Sequence, residues 1–183
     1  MPRHSARATG FTLVELLIAV AILGLLLGVA LPSFGNALEK SRSLDTKGAL
    51  LASVTRAANR AAVTGTRAVL CPSSDGQACS DGFDWSLGWI GFLDRDADRE
   101  RAPGETLLVA EPALPGKVRL LSSKGRTRIV FQGNGGNAGS NVTFTLCDGR
   151  GPAHAETVVL NNRGRLRYGS PTPEAAALAC PPG

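Results

Sequence analysis

Residues 11–31, FTLVELLIAVAILGLLLGVAL, form an apolar run with one charge, Glu15. As an α-helix this run rises about 30 Å, the thickness of a bilayer's hydrocarbon core. A run of this length reads as a membrane anchor, and the 183 residues leave room for one folded domain beside it. A basic leader, MPRHSARATG, precedes it. Secretory signals have a shorter apolar region with a small-x-small site behind it, whereas this run is long and carries a carboxylate at its fifth position. An ionised carboxylate inside hydrocarbon costs at least ~2.5 kcal/mol. No Lys or Arg lies within helical reach of Glu15 inside the run, so it is either an interfacial carboxylate that snorkels to water or one that marks a function and a partner.

Pro32 interrupts the helical hydrogen bonding just beyond the run. A more polar helical pattern then continues to residue 64. It places Leu44, Leu51, Val54, Ala58, Ala61 and Ala62 along one stripe, with Lys40, Lys47, Arg56 and Arg60 largely off it. From Thr66 the chain changes to short β-rich runs divided by turn residues. Strands are predicted at 67–71, 87–93, 106–110, 118–121, 128–131, 142–147, 157–160 and 165–168. The stretch GNGGNAGSN, 133–141, reads as a loop, and the tail from residue 170 as forming no long element. Four segments follow: a leader (1–10), a membrane-spanning assembly segment (11–31), an amphipathic continuation (32–64) and a β-rich domain (65–183).

Cys71, Cys79, Cys147 and Cys180 allow three pairings. A domain delivered across a membrane sits in an oxidising space, where disulfides form. Cys71 and Cys79 flank a short polar loop, and Cys147 with Cys180 would close a loop holding the last strands, so 71–79 with 147–180 is the preferred pairing. There is no CxxC, and His4 and His154 are far apart, so the spacing does not suggest zinc. No cofactor is implied.

The net charge of +5 is unevenly spread. Nine Lys and Arg face three acids from Lys117 onward, while nine acids face four bases between Gly65 and Leu114. The C-terminal part therefore offers an anion-binding face. Its sharpest feature is RGRLRYG, which puts Arg163, Arg165 and Arg167 at every second position, hence on one face of a strand. Guanidinium forks match phosphate oxygens in bidentate fashion, and such contacts position nucleic acid without reading its sequence. A second Gly-Arg-x-Arg, GRTR, supplies Arg126 and Arg128 as auxiliaries, and Tyr168 offers a ring for base stacking.

Two other constellations weigh less. Asp94, Asp96, Asp98 and Glu105 occupy positions 1, 3, 5 and 12 of a calcium-loop template, but position 6, which calls for glycine, is Arg99. A turn closed by Asp side chains is the simpler expectation, and no metal site is assigned. For catalysis there is no nucleophile elbow, HExxH or P-loop, so no enzyme activity is expected.

The stretch from Gly10 through GFTLVELLIAVAIL resembles the processing site of type IV prepilins and pseudopilins. That resemblance implies cleavage by a prepilin peptidase after Gly10 and N-methylation of the new terminal residue, Phe11. It gives Glu15 an assembly role, with the terminal amine of a neighbouring subunit as its missing cation. The segments WSLGW, GETL, FQGNGGN, FTLCDGRG and NNRGRLR are similar to landmarks of the FimT/GspH-type minor pilins and pseudopilins. The fold implied is α+β and type IV pilin-like, a long N-terminal helix packed on an antiparallel β-sheet domain. The likeness is greatest to the FimT type of natural transformation, in which a C-terminal Gly-Arg-x-Arg binds DNA. It gives that role to Gly164, Arg165 and Arg167, with Arg163 beside them. The expected partners are double-stranded DNA, other pilins, the peptidase and the bacterial inner membrane before assembly. The alternative within the same family is a structural pseudopilin of type II secretion.

Overall fold

In the computed structural model the described residues are 10–137, 139 and 141–180. Apart from Gly10, the expected leader lies outside them. The chain divides between Ala37 and Leu38 into two compact units. Helix α1 (Leu13–Thr64) begins in the first and ends in the second.

A reciprocal cap starts α1. The Glu15 amide donates to Thr12 Oγ1 at 3.3 Å, and the Thr12 amide donates to Glu15 Oε2 at 3.0 Å. This Thr-x-x-Glu arrangement satisfies two amides that have no acceptor within the helix. Behind it the apolar side chains from Leu13 to Leu27 are exposed, and the most apolar 18-residue window has a mean hydropathy of 2.7. By length and composition this part of α1 can cross a membrane. The chain is helical on both sides of Pro32.

In the second unit α1 buries Ser43, Thr46, Leu50, Ser53, Val54, Ala57 and Ala61. The stripe is therefore rotated by about one residue from the expected one: Leu44 and Leu51 are 52% and 43% exposed, and Ala62 is exposed. The reason is that small polar residues sit under the sheets. Ser53 accepts the Trp89 indole N–H at 3.0 Å and donates to the Ala49 carbonyl at 2.8 Å, while Thr46 donates to the Arg42 carbonyl at 2.9 Å. A leucine would leave the Trp89 donor unsatisfied in the core. Lys47 also turns inward, pairing with Glu156 at 2.7 Å. Gly65 follows α1 at φ 66°, the left-handed stop that a residue with a Cβ resists.

Eight strands follow: β1 (Arg67–Pro72), β2 (Trp89–Asp94), β3 (Leu107–Glu111), β4 (Arg119–Ser122), β5 (Ile129–Phe131), β6 (Val142–Cys147), β7 (Glu156–Leu160) and β8 (Leu166–Gly169). They form the expected antiparallel β domain as two sheets, β3-β2-β1-β5 and β4-β6-β7-β8. Alternation sorts the side chains. Ala68 and Leu70 of β1 join Leu120, Phe144, Val158 and Leu160 of the second sheet under α1, while Val69 and Cys71 face the opposite way into a cluster with Ile90, Phe92 and Val130. Trp85 fills the main core, edge-on to Phe144 at 5.1 Å. Truncating such an aromatic to Ala costs about 3–5 kcal/mol.

The tail, expected to form no long element, adds a short helix, α2 (Pro173–Ala179). Thr172 caps it by accepting from the Ala175 amide at 3.3 Å, with Pro173 in the first turn. Ala176 and Ala179 pack with Leu121 and Cys147 on the outer face of the second sheet. Disulfides join Cys71 to Cys79 and Cys147 to Cys180.

Candidate functional site

The β7–β8 hairpin carries the arginine row. Its register pairs Leu160 with Leu166 and Val159 with Arg167, and the Asn161 amide donates to the Arg165 carbonyl at 3.0 Å, extending the ladder by one rung. Arg165 and Arg167 therefore share a face, the outer one, opposite the core-facing Leu166. Arg163 departs from the expected strand position: it lies in the turn, beside Gly164 at φ 73°. A side chain at residue 164 would meet only the Gly135 carbonyl, at 4.0 Å, so backbone conformation rather than space demands glycine there.

The turn is held from within and from below. Asn161 Oδ1 accepts the amides of Arg163 at 2.9 Å and Arg165 at 3.0 Å. Asn137, fully buried in the glycine-rich loop, donates its amide to the Asn162 carbonyl and its side-chain Nδ2 to the Asn161 carbonyl, both at 3.2 Å. Sequence reasoning treated NNRGRLR and FQGNGGN as separate landmarks, and the structure brings them together. The available signal was an asparagine next to each glycine turn, a residue that organises turns through its own side chain.

Arg163, Arg165 and Arg167 are exposed, and among the described residues no guanidinium of the three forms an ion pair or hydrogen bond. Elsewhere in the same unit several arginines are engaged, among them Arg42 with Glu39, Arg119 with Asp84, Arg150 with Asp148, Arg67 with Gln132 and Arg56 with the Leu108 carbonyl. Arg60, Arg95, Arg99 and Arg126 are exposed like the row but not grouped as it is. Like charges on one face without a counter-ion attract an anion.

The second pair is not equivalent. Arg126 and Arg128 precede β5, in the other sheet. Arg126 is exposed, but the Arg128 side chain is 13% exposed and pairs with Glu100 and, at 3.8 Å, with Asp81. Its Nε also donates to the Arg99 carbonyl at 3.2 Å. An arginine so engaged is not free to grip phosphate. Tyr168 points to the opposite face from Arg167, and the Lys47 ammonium lies 6.0 Å from its ring centroid, so it does not extend the arginine surface.

The acidic turn between β2 and β3 is compact. Glu105 accepts the amides of Arg95 at 2.7 Å and Ala102 at 3.1 Å, closing the loop. Asp94 is 2% exposed; burial pushes its carboxyl up, Glu105 and Asp96 add to the effect, and the nearby amides of Ala97 and Arg99 oppose it. Those amides fall outside hydrogen-bonding geometry, and neither carboxylate oxygen has a partner. At the other end of the chain, Gly10 and Phe11 are exposed. A cleft of about 770 Å³ lies between β4 and α2, lined by Val118, Cys147, Pro152, Ala179 and Cys180 among others, with its Asp148 bonded to Arg150 at 2.7 Å.

Residues 48–164 match the sequence profile of the family described as Type II transport protein GspH, and residues 5–31 match the prokaryotic N-terminal methylation motif. No curated protein sequence matches the chain. The fold resembles that of the type IV minor pilin FimU of Pseudomonas aeruginosa (strain PAO1), with a TM-score of 0.56 and 14% identity, covering 74% of this chain and 90% of that one. The minor pseudopilin EpsH from the type 2 secretion system of Vibrio cholerae matches with a TM-score of 0.50 and 11% identity, covering 71% of this chain and 98% of that one. At these identities the likeness is one of fold.

Proposed function

The chain belongs to the GspH family of type II transport proteins, and from that premise we propose that it is a FimT-like minor pilin whose arginine hairpin binds DNA for uptake. One observation carries the reading: a turn held by Asn161 and Asn137 displays Arg163, Arg165 and Arg167 within five residues, with no counter-ion among the described residues. Binding rests on Arg165 and Arg167 holding backbone phosphates, with Arg163 at the tip and Arg126 as a remote auxiliary. Arg128, engaged by Glu100, is no longer counted among the auxiliaries. Few contacts per subunit give weak, salt-sensitive and sequence-independent affinity.

Delivery follows from the N-terminus. A prepilin peptidase cuts between Gly10 and Phe11 and Phe11 is N-methylated, a reading supported by the methylation-motif match. The apolar part of α1 holds the subunit as a single pass in the inner membrane, with the β domain in the periplasm. On assembly Glu15 exchanges its cap on Thr12 for the terminal amine of a neighbouring pilin, and the exposed Leu44 and Leu51 meet adjacent subunits. The second reading, a structural pseudopilin of type II secretion, is favoured by the description of the matching family.

A chromosomal Arg165→Gln/Arg167→Gln allele separates the two. The DNA-uptake reading expects transformation to fall at least tenfold with piliation and secretion intact. Normal transformation in that strain, with a deletion strain losing secretion alone, would establish the secretion role instead.

A further inference from the structure

The β2–β3 turn holds an acidic group that neither the fold nor the arginine hairpin uses. Asp94 closes β2 with 2% of its surface exposed, and its carboxylate oxygens make no hydrogen bond of normal geometry, the nearby amides of Ala97 and Arg99 acting on them only weakly. A carboxylate taken out of water is normally matched by a cation or by several donors. Among the described residues no cation fills that role. Arg101 donates to the Gln77 carbonyl, Arg128 is held by Glu100 and the Arg99 carbonyl, and no ion pair includes Asp94. The buried carboxylate instead faces two more: one oxygen each of Asp94, Asp96 and Asp98 lie within 4.8 Å of one another.

We propose that Asp94, Asp96 and Asp98 form a calcium-binding site. Calcium takes carboxylate oxygens at 2.3–2.6 Å, so two ligands on opposite sides of the ion stand about 4.6–5.2 Å apart. Three oxygens within 4.8 Å of one another fit around one such ion without rebuilding the loop. The three residues stand at positions 1, 3 and 5 of the calcium-loop template, and the objection raised by Arg99 at position 6 is one of backbone, not of chemistry. Arg99 adopts φ 69° and Ala97 φ 67°, so the chain already has the left-handed conformation that glycine supplies in that template.

The twelfth position departs from the template. Glu105 does not join the cluster; its two oxygens hold the amides of Arg95 and Ala102 and so clamp the loop shut. Water and main-chain oxygens complete the coordination. With three carboxylates and no bidentate glutamate, affinity belongs to the weak class, with Kd about 0.1–1 mM. The exposed Arg95 and Arg99 weaken it further.

The test uses the full chain in detergent micelles, stripped with a chelator and titrated calorimetrically with calcium chloride and separately with magnesium chloride. The wild type takes up one calcium with Kd about 0.1–1 mM, binds magnesium at least tenfold more weakly, and melts about 3–7 °C higher in about 10 mM calcium. Asp96→Asn/Asp98→Asn loses both responses. These side chains are exposed, and the carboxamide introduced by Asp98→Asn keeps an oxygen to accept from the Glu100 amide, so the variant keeps its chelator-state melting temperature. No saturable binding by the wild type up to about 10 mM calcium, or an equal response in the double variant, overturns the proposal.

Discussion

Replacing Asn161 with Ala tests whether the arginine turn is built or merely exposed. The substitution changes no charge and removes two hydrogen bonds, to the amides of Arg163 at 2.9 Å and Arg165 at 3.0 Å. Both amides are in exposed residues and can return to water, so each bond contributes about 0.5–1 kcal/mol and the pair about 1–2 kcal/mol. The main-chain bonds of Asn161 to Arg165 and Gly164 remain. For a domain of this size the melting temperature should fall by about 3–6 °C, measured by circular dichroism on residues 38–183, the compact unit that carries the described β-domain core. Amide exchange at Arg163 and Arg165 should quicken while the β6–β7 ladder keeps its protection. Re-ordering the loosened turn on DNA costs about 1 kcal/mol, a roughly fivefold loss of affinity. The salt dependence stays unchanged, because the same phosphates are met. The control is Asn162→Ala, whose side chain makes no bond among the described residues and whose carbonyl still accepts from Asn137. If Asn161→Ala melts and binds like the wild type, the turn is not held as described.

In the acidic loop, with chelator present, Arg99→Gly should stabilise by about 0.5–1 kcal/mol by removing a left-handed non-glycine residue; a lower urea midpoint would contradict this. For Asp148, burial is the largest influence and raises its carboxyl, yet bonds from the Arg150 side chain and amide, with the arginine's charge, outweigh it and hold the group below its usual range. A depressed folded value means that the stabilisation is complete above the unfolded value near pH ~4 and is lost as pH falls through the folded one. Arg150→Gln should cost about 2–4 kcal/mol at neutral pH and flatten that acid limb; urea midpoints from pH ~7 to ~3 that match the wild type would show the pair to be idle. Cys147→Ser/Cys180→Ser opens a loop with a separation of 33 residues and should cost about 3–4 kcal/mol by chemical denaturation; a cost under about 1 kcal/mol would show that α2 stays docked without the bond.

The elements were legible because their signals are local. Each strand lies within two residues of a short β-rich run divided from the next by turn residues, and the apolar run with its embedded Glu15 marks the start of the long helix. What stayed hidden depends on long-range placement. Division into two sheets requires β1 to pair with β5 while β4 pairs with β6, which periodicity does not encode. The stripe of α1 was misplaced because Leu44 and Leu51 are more hydrophobic than Ser43, Thr46 and Ser53, and only the Trp89 indole explains why serine goes inside. In the candidate site, the outer face of Arg165 and Arg167 was readable from alternation. The place of Arg163 in the turn depends on Gly164 and the Asn161 side chain, and the pairing of Arg128 depends on Glu100, 28 residues earlier in the chain. Helix α2 was readable from Thr172-Pro173-Glu174, a start signal masked by the prolines around it.

The central claim is that Arg165 and Arg167 grip phosphate. Fluorescence anisotropy of labelled duplex DNA, titrated with residues 38–183 across a range of salt, tests it most directly. The account predicts sequence-independent binding with a slope of log K against log salt of about −2 to −3, falling to −1 or shallower in Arg165→Gln/Arg167→Gln. Arg126→Gln should change little. Equal affinity in the double variant, or a wild-type affinity indifferent to salt, would contradict it.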